Sequence, residues 1–125
     1  MPNPFFRFKQ FTVYHDRCAM KVGTDGVLLG AWTNLSQSRR ILDIGTGTGL
    51  IALMMAQRVP EVPITAIDID AEAVNQANEN FSASPYSKQY GSYPRPKYHV
   101  FCTLSWEVQH CQKGSSLRTP SAPLV

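Results

Sequence analysis

Apolar and polar positions change their period repeatedly along this chain, and each change predicts an element. Residues 5–14 (FFRFKQFTVY) alternate partially between aromatic and polar side chains, the pattern of a short strand or an extended arm. His15 to Lys21 reads as a loop. Gly23-Thr24-Asp25-Gly26 reads as a turn, from which Val27 to Trp32 begin a helix capped by Thr24 or Asp25. Arg40 to Ile44 is the first clear strand. Leu50 to Arg58 is apolar almost all round, as a helix buried on a sheet would be, and Pro60 and Pro63 stop it. Pro63 to Asp68 is the next strand, with Ile64, Ala66 and Ile67 suited to a fully buried parallel position. Asp70 caps a further helix, Glu72 sits in its first turn, and Ala73, Val74, Ala77 and Phe81 give it one apolar face. Residues 40–81 therefore spell strand–helix–strand–helix, a parallel α/β unit.

After Ser84-Pro85 the pattern changes. Four of the five tyrosines follow that point, and five of the nine prolines lie from Pro85 onward. Only Tyr98 to Leu104 resembles a strand there, and residues 115–125 read as a disordered end. The expected organisation is a folded part over 1–85 and a tail without fixed structure over 86–125. A two-stranded sheet cannot bury both its faces, so the α/β unit reads as partial.

Charge sharpens that division. Residues 1–84 hold seven Lys/Arg and eight Asp/Glu, a net of −1; the remainder holds five and one, a net of +4, which together give +3 for the 125 residues. The basic tail interleaves Tyr86, Lys88, Tyr90, Tyr93, Arg95, Lys97 and Tyr98, a composition that suits either RNA stacking or a solvated tail. At the other end Phe6, Arg7, Phe8, Lys9 and Phe11 form an aromatic-basic arm, which reads either as a contact with nucleic-acid phosphates and bases or as a strand covering a sheet edge. Cys18, Cys102 and Cys111 form no even framework, so a reducing, cytoplasmic setting is expected. His99, Cys102, His110 and Cys111 lack the spacing of a zinc site, and no metal is expected. The longest apolar run, Leu50 to Ala56, is too short to span a bilayer, so no membrane partner is expected.

The chemistry concentrates in Ile41-Leu42-Asp43-Ile44-Gly45-Thr46-Gly47-Thr48-Gly49-Leu50, followed nineteen residues after its last glycine by Asp68. A strand ending in a carboxylate and breaking into a glycine turn before a helix is how a parallel sheet meets a nucleotide-like cofactor. Glycine has no Cβ, so the backbone can bend sharply and approach a ligand closely. Asp68 falls where the next strand ends, placed to accept hydrogen bonds from ribose hydroxyls. The looser dinucleotide pattern also fits Gly47-Thr48-Gly49-Leu50-Ile51-Ala52, so a nicotinamide or flavin oxidoreductase stands as an alternative on these residues alone.

Asp43-Ile44-Gly45-Thr46-Gly47-Thr48-Gly49 resembles the first motif of class I S-adenosylmethionine-dependent methyltransferases. Upstream, Phe8-Lys9-Gln10-Phe11 and the run from His15 to Trp32 are similar to the N-terminal segment of one bacterial family, the tRNA1(Val) (adenine(37)-N6)-methyltransferases. The resemblance spans about residues 5–85, about two-thirds of the chain. It implies a partial Rossmann-like class I methyltransferase fold, limited to the first strand–helix–strand–helix unit, acting as a monomer on valine tRNA with S-adenosylmethionine. It implies that Asp43, Gly45, Thr46, Gly47 and Gly49 underlie the cofactor's amino-acid end, that Asp68 takes the ribose, and that Ile69 lies against the adenine. By the same resemblance Thr24 and Asp25 pack beside the cofactor. The Asn-Pro-Pro-Tyr/Phe turn with which such enzymes hold an extruded adenine is absent downstream of Asp68. Asn3-Pro4-Phe5-Phe6 imitates it with no strand before it, so no catalytic residue is assigned. The expectation is a truncated chain, out of family sequence after Pro85, with weak or absent cofactor binding and no turnover.

Overall fold

The computed structural model of the chain describes residues 3–90, 98–104 and 107–109. It opens with an antiparallel hairpin, β1 (Phe5–Arg7) and β2 (Thr12–Tyr14), with Phe6 opposite Val13. The N-terminal segment is thus a paired ribbon and not a free arm. Its aromatic rings pack on one another: Phe8 stacks on Phe11 at 4.8 Å, and Phe11 meets Tyr86 edge-on at 5.9 Å. Phe11 and Val13 are buried, whereas Arg7 and Lys9 are exposed.

The first helix, α1 (Thr24–Trp32), starts earlier than periodicity alone suggests. Gly23 is its N-cap and no side chain caps it, so Thr24 and Asp25 are exposed first-turn residues and not the expected caps. There follow β3 (Ile41–Ile44), α2 (Leu50–Arg58), β4 (Ile64–Asp68) and α3 (Ala71–Ala83). This is the predicted unit, with strand and helix ends within a residue or two of the expected ones. In α3 the carboxylate of Asp70 accepts the Glu72 N–H at 2.9 Å, the cap read from sequence. A 3₁₀ turn spans Pro85–Tyr90.

The sheet is wider than the two-strand unit. β5 (Tyr98–Leu104) runs parallel to β4 with Ile64 opposite Tyr98, and β6 (Glu107–Gln109) returns antiparallel, giving the order β3-β4-β5-β6. Of the segment 86–125 expected to lack fixed structure, the described residues are therefore the end of the 3₁₀ turn and these two strands. Residues 91–97, 105–106 and 110–125 lie outside the described residues, so Tyr93, Arg95, Lys97, His110 and Cys111 carry no structural statement. Tyr86 is buried against Phe11, and its hydroxyl donates to Gln10 Oε1 at 3.3 Å. That ring is part of the core and is not offered to RNA.

The core lies on one face of the sheet. Ile64 and Ala66 of β4 pack against Ala52, Leu53 and Ala56 of α2 and Val74 and Ala77 of α3. Alternation along β3 turns Leu42 and Ile44 to the opposite face, where they are 57% and 73% exposed. Ile67 is half-buried for the same reason, so the expectation of a strand buried on both faces is corrected: both α2 and α3 sit on the Ile64–Ala66 side.

Candidate functional site

The parallel pairing of Ile44 with Ile67 brings the carboxyl ends of β3 and β4 side by side. Open parallel sheets bind ligands beyond such ends. The chain after β3 folds straight onto β4: the N–H groups of Gly45 and Thr46 both donate to the Ile67 carbonyl, at 2.8 and 3.0 Å. Gly45, Gly47 and Gly49 all have positive φ (74°, 55° and 82°). Side chains are disfavoured in that region, so the turn depends on glycine.

The two halves of the sequence motif meet directly. Gly47 N–H donates to Asp68 Oδ2 at 2.8 Å, and Asp68 Oδ1 accepts the Asp70 N–H at 2.9 Å. Asp68 thus fastens the glycine turn to the end of β4. Each of its oxygens retains a second lone pair for a hydroxyl donor. Ile69, next in the chain, is 74% exposed on the same rim.

Asp43 works from beneath. It is buried, Thr46 Oγ1 donates to its Oδ2 at 2.7 Å, and the Ala52 N–H in the first turn of α2 also bonds to it. Gly49, the N-cap of α2, has no side chain to do this. A strand carboxylate therefore stands in for the missing cap and ties β3, the turn and α2 together. Burial pushes the Asp43 carboxyl above its usual range; the Thr46 and Ala52 bonds oppose the rise, and the nearby Asp68 charge adds to it.

The three glycines do different work. A Cβ on Gly45 or Gly47 would meet nothing within 4 Å, so both face open space. A Cβ on Gly49 would lie 3.3 Å from the Ala77 Cβ, because α3 packs against the back of the turn. On α1, a Cβ on Gly26 would come within 3.1 Å of the Leu50 side chain, and one on Gly30 within 2.6 Å of Met54 Sδ. These two glycines, one helical turn apart, let α1 approach α2 closely.

Sequence patterning missed two residues behind the site. Gln76 and Asn80 of α3 are among the most buried side chains of the protein. Gln76 Oε1 accepts the Arg17 N–H at 3.2 Å, and its Nε2 donates to Asp16 Oδ1 at 2.6 Å. Asn80 Nδ2 donates to the carbonyls of Tyr14 (2.9 Å) and Thr48 (2.8 Å), and its Oδ1 accepts the Tyr14 N–H at 2.9 Å. The signal was present: 73, 76, 77, 80 and 81 share a helical face, and two of those positions are amides. Among the described residues, no group of three or more His, Cys, Asp or Glu side chains is placed to hold a metal, and no helix is long and apolar enough to cross a membrane.

A parallel α/β unit in which β3 ends in an inward carboxylate and a left-handed glycine turn presents the edge at which open parallel sheets take up ligands. Residues 19–92 match the family described as Methyltransferase small domain, and the chain belongs to that family. Its relatives narrow the likeness. A tRNA1(Val) (adenine(37)-N6)-methyltransferase of Phocaeicola vulgatus is 72% identical over 86 residues, covering 69% of this chain and 36% of the relative. Proteins of the same name from Erwinia tasmaniensis and Aeromonas salmonicida are 63% and 61% identical, covering 94% and 98% of this chain and 46% and 54% of theirs. The chain thus spans between about a third and about half the length of these relatives.

Proposed function

We propose that this chain carries the S-adenosylmethionine-binding half of a methyltransferase that acts on N6 of an adenine in tRNA, with valine tRNA as the substrate. The observation that carries the reading is the joined pair of carboxylates: Asp43 holds the glycine turn from below, and Asp68 holds it to the rim. Open space above Gly45 and Gly47 fits a ligand that lies directly on the backbone. The cofactor's carboxylate would meet the N–H groups at the start of α2. Its ribose hydroxyls would donate to Asp68, its adenine would lie against Ile69, and Thr24 and Asp25 would flank it. When bound, the sulfonium supplies an electrophilic methyl group.

Binding and orientation are this chain's share of the work, and orientation is a large part of the catalysis of an in-line methyl transfer. Exposed Arg7 and Lys9 on the hairpin suit the phosphates of the tRNA. No Asn-Pro-Pro-Tyr/Phe sequence follows Asp68, so nothing identifiable here accepts the two amino hydrogens of an extruded adenine. These residues alone therefore supply no identifiable acceptor site for methyl transfer. Incubation with methyl-labelled cofactor and unmodified valine tRNA should leave the RNA unlabelled. Robust labelling would overturn the half-site reading, and a preference for NAD would overturn the cofactor assignment.

A further inference from the structure

We propose that Asn80 is a positioning residue that couples the N-terminal hairpin to the cofactor turn. The inference rests on the glycine turn being the cofactor site. Asn80 lies near the end of α3 and is 1% exposed, yet every bond of its amide goes to backbone outside α3. Its oxygen and one N–H pair with the N–H and carbonyl of Tyr14, as a neighbouring strand would pair with β2. Its amino group also donates to the Thr48 carbonyl, between two left-handed glycines of the turn. The orientation of the amide is fixed, because two carbonyls require its donors and one N–H requires its acceptor.

A buried amide with all its groups engaged cannot lose one partner cheaply, since the orphaned group then bears its full desolvation cost. Displacement of Tyr14 is therefore felt at Thr48, and displacement of Thr48 at Tyr14. The hairpin carries exposed Arg7 and Lys9, and the turn faces the cofactor. Binding at one surface thus biases order at the other, and the coupling is reciprocal. Gln76, one turn earlier, supports the same segment by holding Asp16 and Arg17, but it makes no bond to the turn.

The test is residue-resolved hydrogen exchange on the full chain with Asn80→Asp, which keeps the acceptor for Tyr14 N–H and removes both donors. Asn80→Ser serves if the first variant does not fold. Without ligand, exchange at the Gly47 and Gly49 amides should accelerate about tenfold or more while Thr65 and Ile67 in β4 stay unchanged. A uniform acceleration would show Asn80 to be merely structural and would overturn the proposal. With S-adenosylmethionine at millimolar concentration, the Tyr14 amide should become better protected in the wild type and not in the variant. Equal protection in both would overturn the coupling. A wild type that binds no cofactor would defeat the proposed function, while the ligand-free comparison still decides the role of Asn80.

Discussion

Alanine at Gly47 and alanine at Gly49 should separate ligand binding from stability, although both glycines belong to one turn. Both residues have positive φ, 55° and 82°. Placing a Cβ in that region costs about 1–2 kcal/mol. Fewer unfolded conformations return about 0.4–1 kcal/mol. The net for Gly47→Ala is about 1 kcal/mol, since its new Cβ meets no protein atom within 4 Å. At Gly49 the Cβ would lie 3.3 Å from the Ala77 Cβ and 3.5 Å from the Phe81 ring, both on a packed helix. Overpacking of that kind adds about 1–3 kcal/mol, for a total of about 2–4 kcal/mol. Urea denaturation followed by circular dichroism reads these losses as shifts in midpoint at constant slope. Titration with S-adenosylmethionine reads the other side: Gly47→Ala should weaken binding by about tenfold, equivalent to about 1.4 kcal/mol, because its methyl occupies the ligand's space. Equal stability losses, or unchanged binding in Gly47→Ala, would refute the division of labour.

Asp43 makes a pH-dependent contribution whose sign is fixed by burial. Its folded carboxyl is raised, so the stabilisation it gives is complete below the unfolded value of about 3.9 and is lost as pH rises through the folded value. Asp43→Asn should therefore gain on the wild type between acid and neutral pH in paired urea melts; a gap moving the other way would contradict the assignment. Gln76→Ala should cost about 1–3 kcal/mol by emptying a fully buried position and losing its bonds to Asp16 and the Arg17 N–H, whereas Glu79→Ala, which breaks the exposed ion pair with Arg17, should cost under about 1 kcal/mol in the same assay. Ile44→Thr, on the uncovered face of β3, should shift stability by no more than about 0.5 kcal/mol, and a larger loss in thermal melts would mean that face is covered.

The α/β unit was legible because its elements carry strong local signals. Leu50 to Arg58 is apolar on nearly every side, Asp70 caps α3 in the ordinary way, and the glycines announce the turn. The start of α1 was misread because Thr24 and Asp25 are good capping residues, yet Gly23 takes that position and packing of Gly26 and Gly30 on α2 sets the helix. Sequence spacing placed Asp68 at the rim but did not show that its carboxylate bonds to Gly47 itself. Asp43 was read as part of the cofactor floor; that it caps α2 across the turn follows only from register, which sets Asp43 beside Ala66 on the covered face. Asn80 and Gln76 were hidden because periodicity scores amides as surface residues. The hairpin, too, depends on tertiary contact, since Tyr86 completes its aromatic cluster from 75 positions downstream of Phe11.

Amide chemical shifts of the isotope-labelled chain, recorded while S-adenosylmethionine and then NAD are added, test the central claim most directly. The methyl donor should shift Gly45, Thr46, Gly47, Asp68 and Ile69 as one weak, saturable set, with NAD leaving them in place. Movement of those residues with NAD alone, or shifts from the methyl donor scattered away from the ends of β3 and β4, would contradict it.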